Sequence, residues 1–147
     1  MRVVIQRVTE ARVCVEGRVV GEIGQGLLVL VGFGEADVDA ADPGLEWLAD
    51  KLWGLRVFAD DTGRMNRSTE DAGGSLLLVS QFTLYGDVSR GKRPSFGGAA
   101  APEAAERLYE RLVETCRRGG VVQTGEFGAM MQIELVNDGP VTILIDR

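Results

Sequence analysis

Apolar and polar residues follow each other along the chain in a pattern that predicts several strands. Short alternating or apolar segments open the sequence, and Glu16-Gly17 forms a turn signal between two of them. The runs 27–33 and 75–82 are continuously apolar, which is typical of strands covered on both faces. The predicted strands are residues 2–8, 11–15, 18–23, 27–33, 57–58, 75–82, 121–123, 130–136 and 141–145.

Two longer segments carry apolar residues at helical spacing. In residues 45–55 leucines recur every three or four positions, after Asp42 as the predicted N-cap and Pro43 as the first helical residue. Residues 102–118 form the second segment, which Gly119 ends. Between the elements, residues 64–74 read as a polar loop and residues 86–101 as a long loop rich in Gly, Ser and basic residues.

These elements predict one α+β domain spanning residues 1–147. Neither an internal repeat nor a linker interrupts the pattern. We expect a mixed β-sheet curled into a barrel-like core, with two main helices packed on it.

Composition narrows the class of protein. With 147 residues, 45% of them hydrophobic, the chain is expected to be a soluble globular domain. Apolar runs stay shorter than the about 20 residues of a membrane span, and no secretory signal pattern is visible, so we expect no membrane contact. Cys14 and Cys116 stand far apart and are expected to be reduced, which favours a cytoplasmic location.

Charge and residue types exclude several chemistries. The net charge of −6 disfavours a general nucleic-acid binder. The chain contains no histidine, which removes Ser-His-Asp and Cys-His catalysis and most zinc sites. A metal held only by Asp and Glu is still open, but no spaced carboxylate cluster stands out. Asp60, Asp61, Asp37, Asp39 and Asp42 resemble turn and helix-entry residues instead, so we predict no metal site.

Two distant segments carry the candidate chemistry. Ser-Gln-Phe-Thr-Leu at 80–84 ends an apolar strand, and Asn-Asp-Gly-Pro-Val-Thr at 137–142 lies between two predicted strands. Gly139-Pro140 predicts a stiff connection with a bare backbone that a ligand can approach, although the dipeptide taken alone favours an ordinary turn.

With these two segments, the motifs in 1–8, 64–66, 91–96 and 124–130 make the chain resemble the D-aminoacyl-tRNA deacylases over nearly its whole length. The resemblance implies cofactor-free, RNA-assisted hydrolysis of the ester to the 3′ end of tRNA. It also implies a homodimer in which the Gly139-Pro140 loop reaches into the partner's site. Arg7 would then brace the loop; the alternative is that Arg7 is an exposed charge at a strand end. Phe127 and Met130 would line the pocket; the alternative is that they belong to the hydrophobic core.

The residues themselves leave the catalytic mechanism open. Thr83 is a possible nucleophile, but no base is available, and a strand residue whose hydroxyl bonds to the backbone is the alternative. Backbone N–H groups around Gln81 and Phe82 are the better hypothesis, forming an oxyanion hole while the vicinal ribose hydroxyl of the substrate assists. A non-catalytic RNA-end or D-amino-acid binding module remains a further alternative.

Rigid main chain at Gly139-Pro140 would exclude L side chains and admit D residues, and by the same reasoning glycine. The basic residues near 90, or Arg117 and Arg118 on a helix end, would contact RNA, a solvated surface being the alternative. The predicted site residues are Ser80, Gln81, Phe82 and Thr83 for catalysis, Gly139, Pro140, Arg7, Phe127 and Met130 for substrate binding and chiral selection, and Arg90, Lys92 and Arg93 for RNA.

Overall fold

A long first strand organises the sheet. The computed structural model describes residues 1–40 and 43–147, and its strand β1 spans Arg2–Val15 without interruption. The sequence predicted two strands here because the alternation of buried residues changes phase between them. In the structure the phase change is taken up by irregularities in the pairing around Val8, so the strand continues through them.

Seven further strands follow in the described residues, and five of them join β1 in a six-stranded mixed sheet with the order β2-β1-β3-β6-β7 and with β8 paired to β1. The pairs β3-β6 and β6-β7 are parallel, and β1 pairs antiparallel with β2, β3 and β8. The strands are β2 Arg18–Ile23, β3 Gly26–Gly32, β4 Phe58–Ala59, β5 Met65–Arg67, β6 Ser75–Ser80, β7 Val122–Thr124 and β8 Gln132–Asp146.

The sheet nearly closes into a barrel where β2 meets β7. A Cβ atom built on Gly21 would lie 2.3 Å from the carbonyl oxygen of Thr124, so only glycine allows this approach. Strands β4 and β5 form a separate small hairpin, which corrects the prediction of a loop through residues 64–74. The long loop at 86–101 is confirmed, with only isolated bridges inside it.

The helices are α1 Glu35–Asp39, α2 Leu45–Gly54 and α3 Pro102–Arg117. The two predicted main helices, α2 and α3, are thus confirmed, and the short α1 was not predicted. Helix α2 begins at Leu45 after Gly44, so Pro43 lies before its first turn, and the predicted cap Asp42 lies outside the described residues.

The buried core has two parts, which explains the continuously apolar strands. One set of side chains packs between the sheet and the helices, and a second fills the barrel interior. On β6, Leu76 and Leu78 belong to the first set and Leu77 and Val79 to the second, so both faces of the strand are covered, as predicted.

Cys14 and Cys116 are free thiols, and burial, with Glu46 as a smaller cause, raises the pKa of Cys116 to about 12.

Within residues 1–40 and 43–147, none of the helices has both the length and the apolar character that a membrane span requires.

Candidate active site

Three parallel strands bring the candidate residues to one rim of the barrel. Strands β3, β6 and β7 run in the same direction, so their carboxyl ends meet at the same edge of the sheet. Ser80 ends β6 at this edge, as predicted, and the loop at 125–130 follows β7 there. The rim therefore collects the first signature segment and the predicted pocket residues Phe127 and Met130.

The segment after Ser80 is a turn and not the predicted strand end. Gln81 leaves the strand with φ −147° and ψ 82°, and residues Phe82–Tyr85 form one 3-10 turn, here called the catalytic-rim turn. The Gln81 amide donates to the carbonyl of Val31 at 2.8 Å, which ties the start of the turn to β3. In the described part of the chain, the next two amides, of Phe82 and Thr83, have no hydrogen-bond acceptor. Of the main-chain donors predicted around Gln81 and Phe82, the Gln81 amide is thus bonded to β3, and the amides of Phe82 and Thr83 are available.

Thr83 is not the strand residue that the sequence predicted. It lies exposed in the catalytic-rim turn, and its hydroxyl accepts a hydrogen bond from the side-chain amide of Gln81. A carboxamide cannot take a proton from the hydroxyl, so this contact orients Thr83 without activating it as a nucleophile.

An aromatic pair joins the turn to the basic loop. The ring of Phe82, 57% exposed, meets that of Phe96 edge to face, with centroids 5.2 Å apart and an interplanar angle of 67°. Between them in sequence, Asp87 pairs with Ser95 through two main-chain hydrogen bonds of 2.8 and 2.9 Å. The predicted RNA-binding residues Arg90, Lys92 and Arg93 are exposed at the tip of this loop.

Arg117 and Arg118, the alternative candidates for RNA contact at the end of α3, each form an ion pair within the chain. Arg117 forms an ion pair with Glu114 at 2.6 Å, and Arg118 forms one with Glu46 at 2.8 Å. Exposed ion pairs of this kind are typical of a solvated surface, which is the alternative predicted for these two arginines. The loop cations are not in such pairs among the described residues, so they are the better candidates for phosphate contact.

The two predicted pocket residues differ in environment. Phe127 is half-buried and packs on Tyr109 of α3, with ring centroids 5.9 Å apart. Met130 is 91% exposed, so the alternative that it belongs to the core is wrong. An exposed methionine at the rim offers a deformable apolar contact to a ligand or a partner.

The second signature segment protrudes from a continuous strand. Gln6 pairs with Thr142 and Val8 with Asn137, so residues 138–141 are left outside the ladder. We call these residues the Gly-Pro bulge. The Gly139–Pro140 peptide bond within it is cis, and both residues are exposed. The predicted loop between two strands is thus a bulge inside one strand, β8.

Arg7 holds the base of this bulge. Its Nε donates to the carbonyl oxygen of Asp138 at 3.1 Å and lies 3.1 Å from the Asp138 carboxylate, while Nη1 donates to the carbonyl of Val57. The side chain is 12% exposed, so the alternative of an exposed strand-end charge is wrong. Three acceptors in one guanidinium fork fix the main chain on the N-terminal side of Gly139.

One chain does not bring the bulge and the catalytic-rim turn together. Arg2 contacts the turn through the carbonyl of Leu84, and Arg7 contacts the bulge. Both lie on β1, and strand geometry separates them by about 16 Å along the strand. Among the described residues, no hydrogen bond, ion pair or ring contact joins residues 80–85 to the Gly-Pro bulge.

Sequence reasoning missed three residues around the turn. Tyr85 is the last residue of the turn, and Arg2 and Asp37 contact its C-terminal end. Burial, followed by the charge of Asp37, raises the pKa of Tyr85 to about 12. Asp37 does act at a helix entry, as predicted, by accepting the Gly34 amide at 2.7 Å. Tyr85 directly follows the first signature, and this adjacency was the available signal.

Comparisons with known proteins decide the family. The family model for D-Tyr-tRNA(Tyr) deacylase matches residues 4–146. The chain is 58% identical to a D-aminoacyl-tRNA deacylase of Desulfitobacterium hafniense strain DCB-2, over 99% of the chain and 97% of the relative. It belongs to the D-aminoacyl-tRNA deacylase family. A relative of the same name from Thermotoga petrophila is 57% identical, again over 99% of the chain and 97% of the relative.

Solved structures agree with this membership. The structure of a c-Myc DNA unwinding element binding protein is 38% identical, with a TM-score of 0.91, covering 100% of this chain and 99% of that one. A probable eukaryotic D-amino acid tRNA deacylase shares the fold, with a TM-score of 0.83 at 22% identity, covering 99% and 98%. The resemblance stated from the sequence and the barrel-like α+β fold are therefore confirmed.

The donor set of this deacylase-family chain is main chain and neutral side chains. Within residues 1–40 and 43–147, no group of three or more Cys, Asp or Glu side chains is arranged to hold a metal ion. What the rim offers chemically is a pair of main-chain donors, a neutral carboxamide and a hydroxyl.

Proposed function

We propose that this chain hydrolyses the ester bond of D-aminoacyl-tRNA, releasing the free D-amino acid and tRNA. The observation that carries the proposal is the pair of unpartnered amides of Phe82 and Thr83 at the barrel rim. Two such donors are suited to the oxyanion that develops when water attacks an ester carbonyl. Membership of the deacylase family and the 58% identical relative support the substrate class.

The mechanism proposed is RNA-assisted. The terminal ribose carries a free hydroxyl next to the ester, and this group orients the attacking water or polarises the carbonyl. Holding reacting groups in near-attack geometry contributes about 7–11 kcal/mol in model reactions, which removes the need for a histidine base. The carboxamide of Gln81, which already donates to the Thr83 hydroxyl, supports an orienting role for both side chains.

Chiral selection is proposed to rest on the Gly-Pro bulge. A pocket that merely fits one side chain better discriminates by about 10–200-fold, whereas a rigid main-chain wall beside the α-carbon excludes the L side chain outright. Support for rigidity comes from Arg7, whose fork fixes the carbonyl of Asp138 directly before Gly139. The carbonyls of the bulge would also accept the substrate's ammonium group.

The working unit is proposed to be a homodimer in which each bulge completes the partner's site. In support, the bulge is exposed, and within the described subunit no hydrogen bond, ion pair or ring contact joins it to the catalytic-rim turn. Exposed apolar side chains on β8, namely Leu135, Val136 and Leu144, provide surface for such contact. A twofold axis would repeat the bulge-to-turn contact twice.

RNA is proposed to meet the rim at the 86–101 loop. Arg90, Lys92 and Arg93 would contact phosphates near the 3′ end, and a cytoplasmic location follows from the substrate. The 38% identical solved protein is described as binding a DNA unwinding element. Duplex binding is disfavoured here by the net charge of −6, since only a small basic tip offsets it.

The decisive experiment is a deacylation assay with matched substrates. Purified protein is incubated with D-tyrosyl-tRNA, L-tyrosyl-tRNA and glycyl-tRNA, and the released amino acid is measured over time. We expect hydrolysis of the D ester and of glycyl-tRNA and protection of the L ester, because only a side chain in the L configuration meets the bulge.

Other outcomes assign the alternatives. Equal cleavage of the two tyrosyl esters would contradict chiral selection by main chain. Complete resistance of glycyl-tRNA with cleavage of the D ester would contradict the proposed geometry of the wall. Binding of the D ester without release of amino acid would favour the non-catalytic binding module.

Thr83→Ala separates the proposed mechanism from nucleophilic catalysis. We expect kcat for D-tyrosyl-tRNA to remain within about threefold of the original, the scale of one neutral hydrogen bond. If Thr83 formed an acyl-enzyme, the variant would lose nearly all turnover, as other covalent enzymes do when the nucleophile is removed. Thr115→Ala, which removes a hydroxyl that donates to the Arg111 carbonyl at 2.8 Å on helix α3, outside both signature segments, is the matched control for a lost threonine.

A further inference from the structure

The C-terminal end of the catalytic-rim turn is held by a cluster around one aromatic ring. The guanidinium carbon of Arg2 lies 4.7 Å from the centroid of the Tyr85 ring. A Cβ atom on Gly34 would lie 2.7 Å from the Cε1 atom of Tyr85, so the ring fills space that only glycine leaves. We call Arg2, Gly34, Asp37 and Tyr85 the Tyr85 clamp.

Arg2 also reaches the main chain of the turn. Its Nη1 donates to the carbonyl oxygen of Leu84 at 3.0 Å, and its Nε lies 3.5 Å from the carboxylate of Asp146 on β8. Arg2 thus contacts two successive residues of the turn while its own backbone is paired with Gly32 in the sheet. A planar guanidinium can stack on a ring and donate in its plane at once, which lysine cannot do.

Asp37 contacts the same ring from helix α1. Its Oδ2 accepts the Gly34 amide at 2.7 Å and lies 3.4 Å from the Tyr85 hydroxyl, and its Oδ1 accepts from the Met1 nitrogen at 2.7 Å. The clamp therefore links the turn to β1, to the end of β3 and to α1.

We propose that Arg2 and Tyr85 are positioning residues for catalysis, because they set the direction in which the Phe82 and Thr83 amides point. This inference rests on the proposed oxyanion role of the turn. The turn itself is short, with Leu84 N bonded to Gln81 O at 3.3 Å and Gly86 N to Thr83 O at 2.9 Å. Phe82 and Thr83 are exposed, and their side chains meet Phe96 and Gln81. The clamp at the opposite end of the turn supplies the link to the sheet and to α1 that orients the two amides.

The test compares Arg2→Ala with Arg12→Ala. Both arginines lie on β1, are similarly exposed at 43% and 46%, and form an ion pair with an acidic residue of β8. Only Arg2 contacts the turn. We expect Arg2→Ala to lower kcat for D-tyrosyl-tRNA about tenfold with KM within twofold, since one charged hydrogen bond and one stacking contact are lost. Arg12→Ala should leave both constants unchanged, and the two variants should have similar melting temperatures.

Two further measurements test the clamp itself, one through a conservative substitution of Arg2 and one through the amide signals of the turn. Arg2→Lys should recover less than half of the lost kcat, because one ammonium cannot replace the fork. In amide NMR spectra, Arg2→Ala and Tyr85→Phe should shift the Phe82 and Thr83 signals, and Arg12→Ala should not.

Three results would contradict the proposed role of the clamp. Unchanged amide signals in Arg2→Ala, or equal losses of kcat in Arg2→Ala and Arg12→Ala, would overturn the clamp. Shifted amide signals with unchanged kcat would also overturn a catalytic positioning role. If Phe82→Pro, which removes the Phe82 amide, then also left kcat unchanged, the proposed oxyanion role of the turn would itself be contradicted.

Discussion

Phe82→Pro is expected to lower kcat for D-tyrosyl-tRNA by about 10²–10³-fold, the usual cost of one oxyanion-hole donor. Proline deletes the amide hydrogen at the first residue of the catalytic-rim turn, where no acceptor within the described chain uses it. Gln81 before it has φ −147° and ψ 82°, so it avoids the α region that a following proline disfavours. The fold should therefore persist while one donor to the reacting carbonyl is lost.

The control for this prediction is Phe82→Ala. Alanine keeps the amide and removes only the ring that meets Phe96 edge to face. The quantity of interest is kcat of the alanine variant divided by kcat of the proline variant, measured in single-turnover deacylation with circular dichroism to verify folding. A ratio near one would mean that the amide does not stabilise the transition state.

Gly139→Ala is expected to lower D-ester hydrolysis by about 10²-fold, the effect of moving a positioning group by roughly 1 Å. Gly139 has φ +122°, a conformation that L side chains rarely adopt. A Cβ atom there would lie 2.9 Å from Val141 Cγ2 and 3.0 Å from Arg7 Nη2. The added methyl must displace the bulge or the guanidinium that holds it, so the ratio of D to L hydrolysis should fall as well.

Gly17→Ala provides the matched control. Gly17 also has a positive φ, +76°, but a Cβ atom there has nothing within 4 Å. Both variants carry the backbone cost of about 1–2 kcal/mol for a left-handed residue, and only Gly139→Ala adds steric conflict in the bulge. Equal activities of the two variants would show that crowding at the bulge has no catalytic consequence.

Mixing the two damaged chains tests the proposed homodimer. If each bulge completes the partner's site, a heterodimer of Phe82→Pro and Gly139→Ala chains contains one site with an intact turn and an intact bulge. Equal random mixing should then restore about a quarter of the original activity, since half of the dimers are mixed and each has one good site of two. No recovery after verified subunit exchange would mean that the bulge does not serve the partner.

The chain's local patterns were sufficient for most of its elements. Continuous apolar runs correctly indicated strands covered on both faces at β3 and β6, and leucine spacing indicated α2. The boundary at 80–85 was wrong because Phe82 and Leu84 continue the apolar character of the strand. Burial periodicity cannot distinguish a strand from a 3-10 turn over so few residues.

The candidate site likewise combines features that the sequence predicted with features that depend on distant parts of the chain. The signature segments could be found in the sequence, but which donors are free could not. Gln81 and Phe82 are neighbours, yet only the Gln81 amide meets an acceptor, the carbonyl of Val31, fifty residues earlier in the chain. Likewise, Arg7 fixes the bulge through Asp138, which pairing between β1 and β8 brings beside it.

By itself, the sequence determined the family, the α+β class and the absence of histidine chemistry, because these follow from residue identity and local periodicity. Only the tertiary structure decided that residues 82–85 turn, that two amides there have no acceptor among the described residues, and that Arg2 contacts Leu84 and Tyr85 at the end of the turn. The physical reason is that hydrogen-bond partners and strand registers depend on segments distant in the chain. A local pattern records how deeply a residue is buried, and it does not record which partner that residue meets.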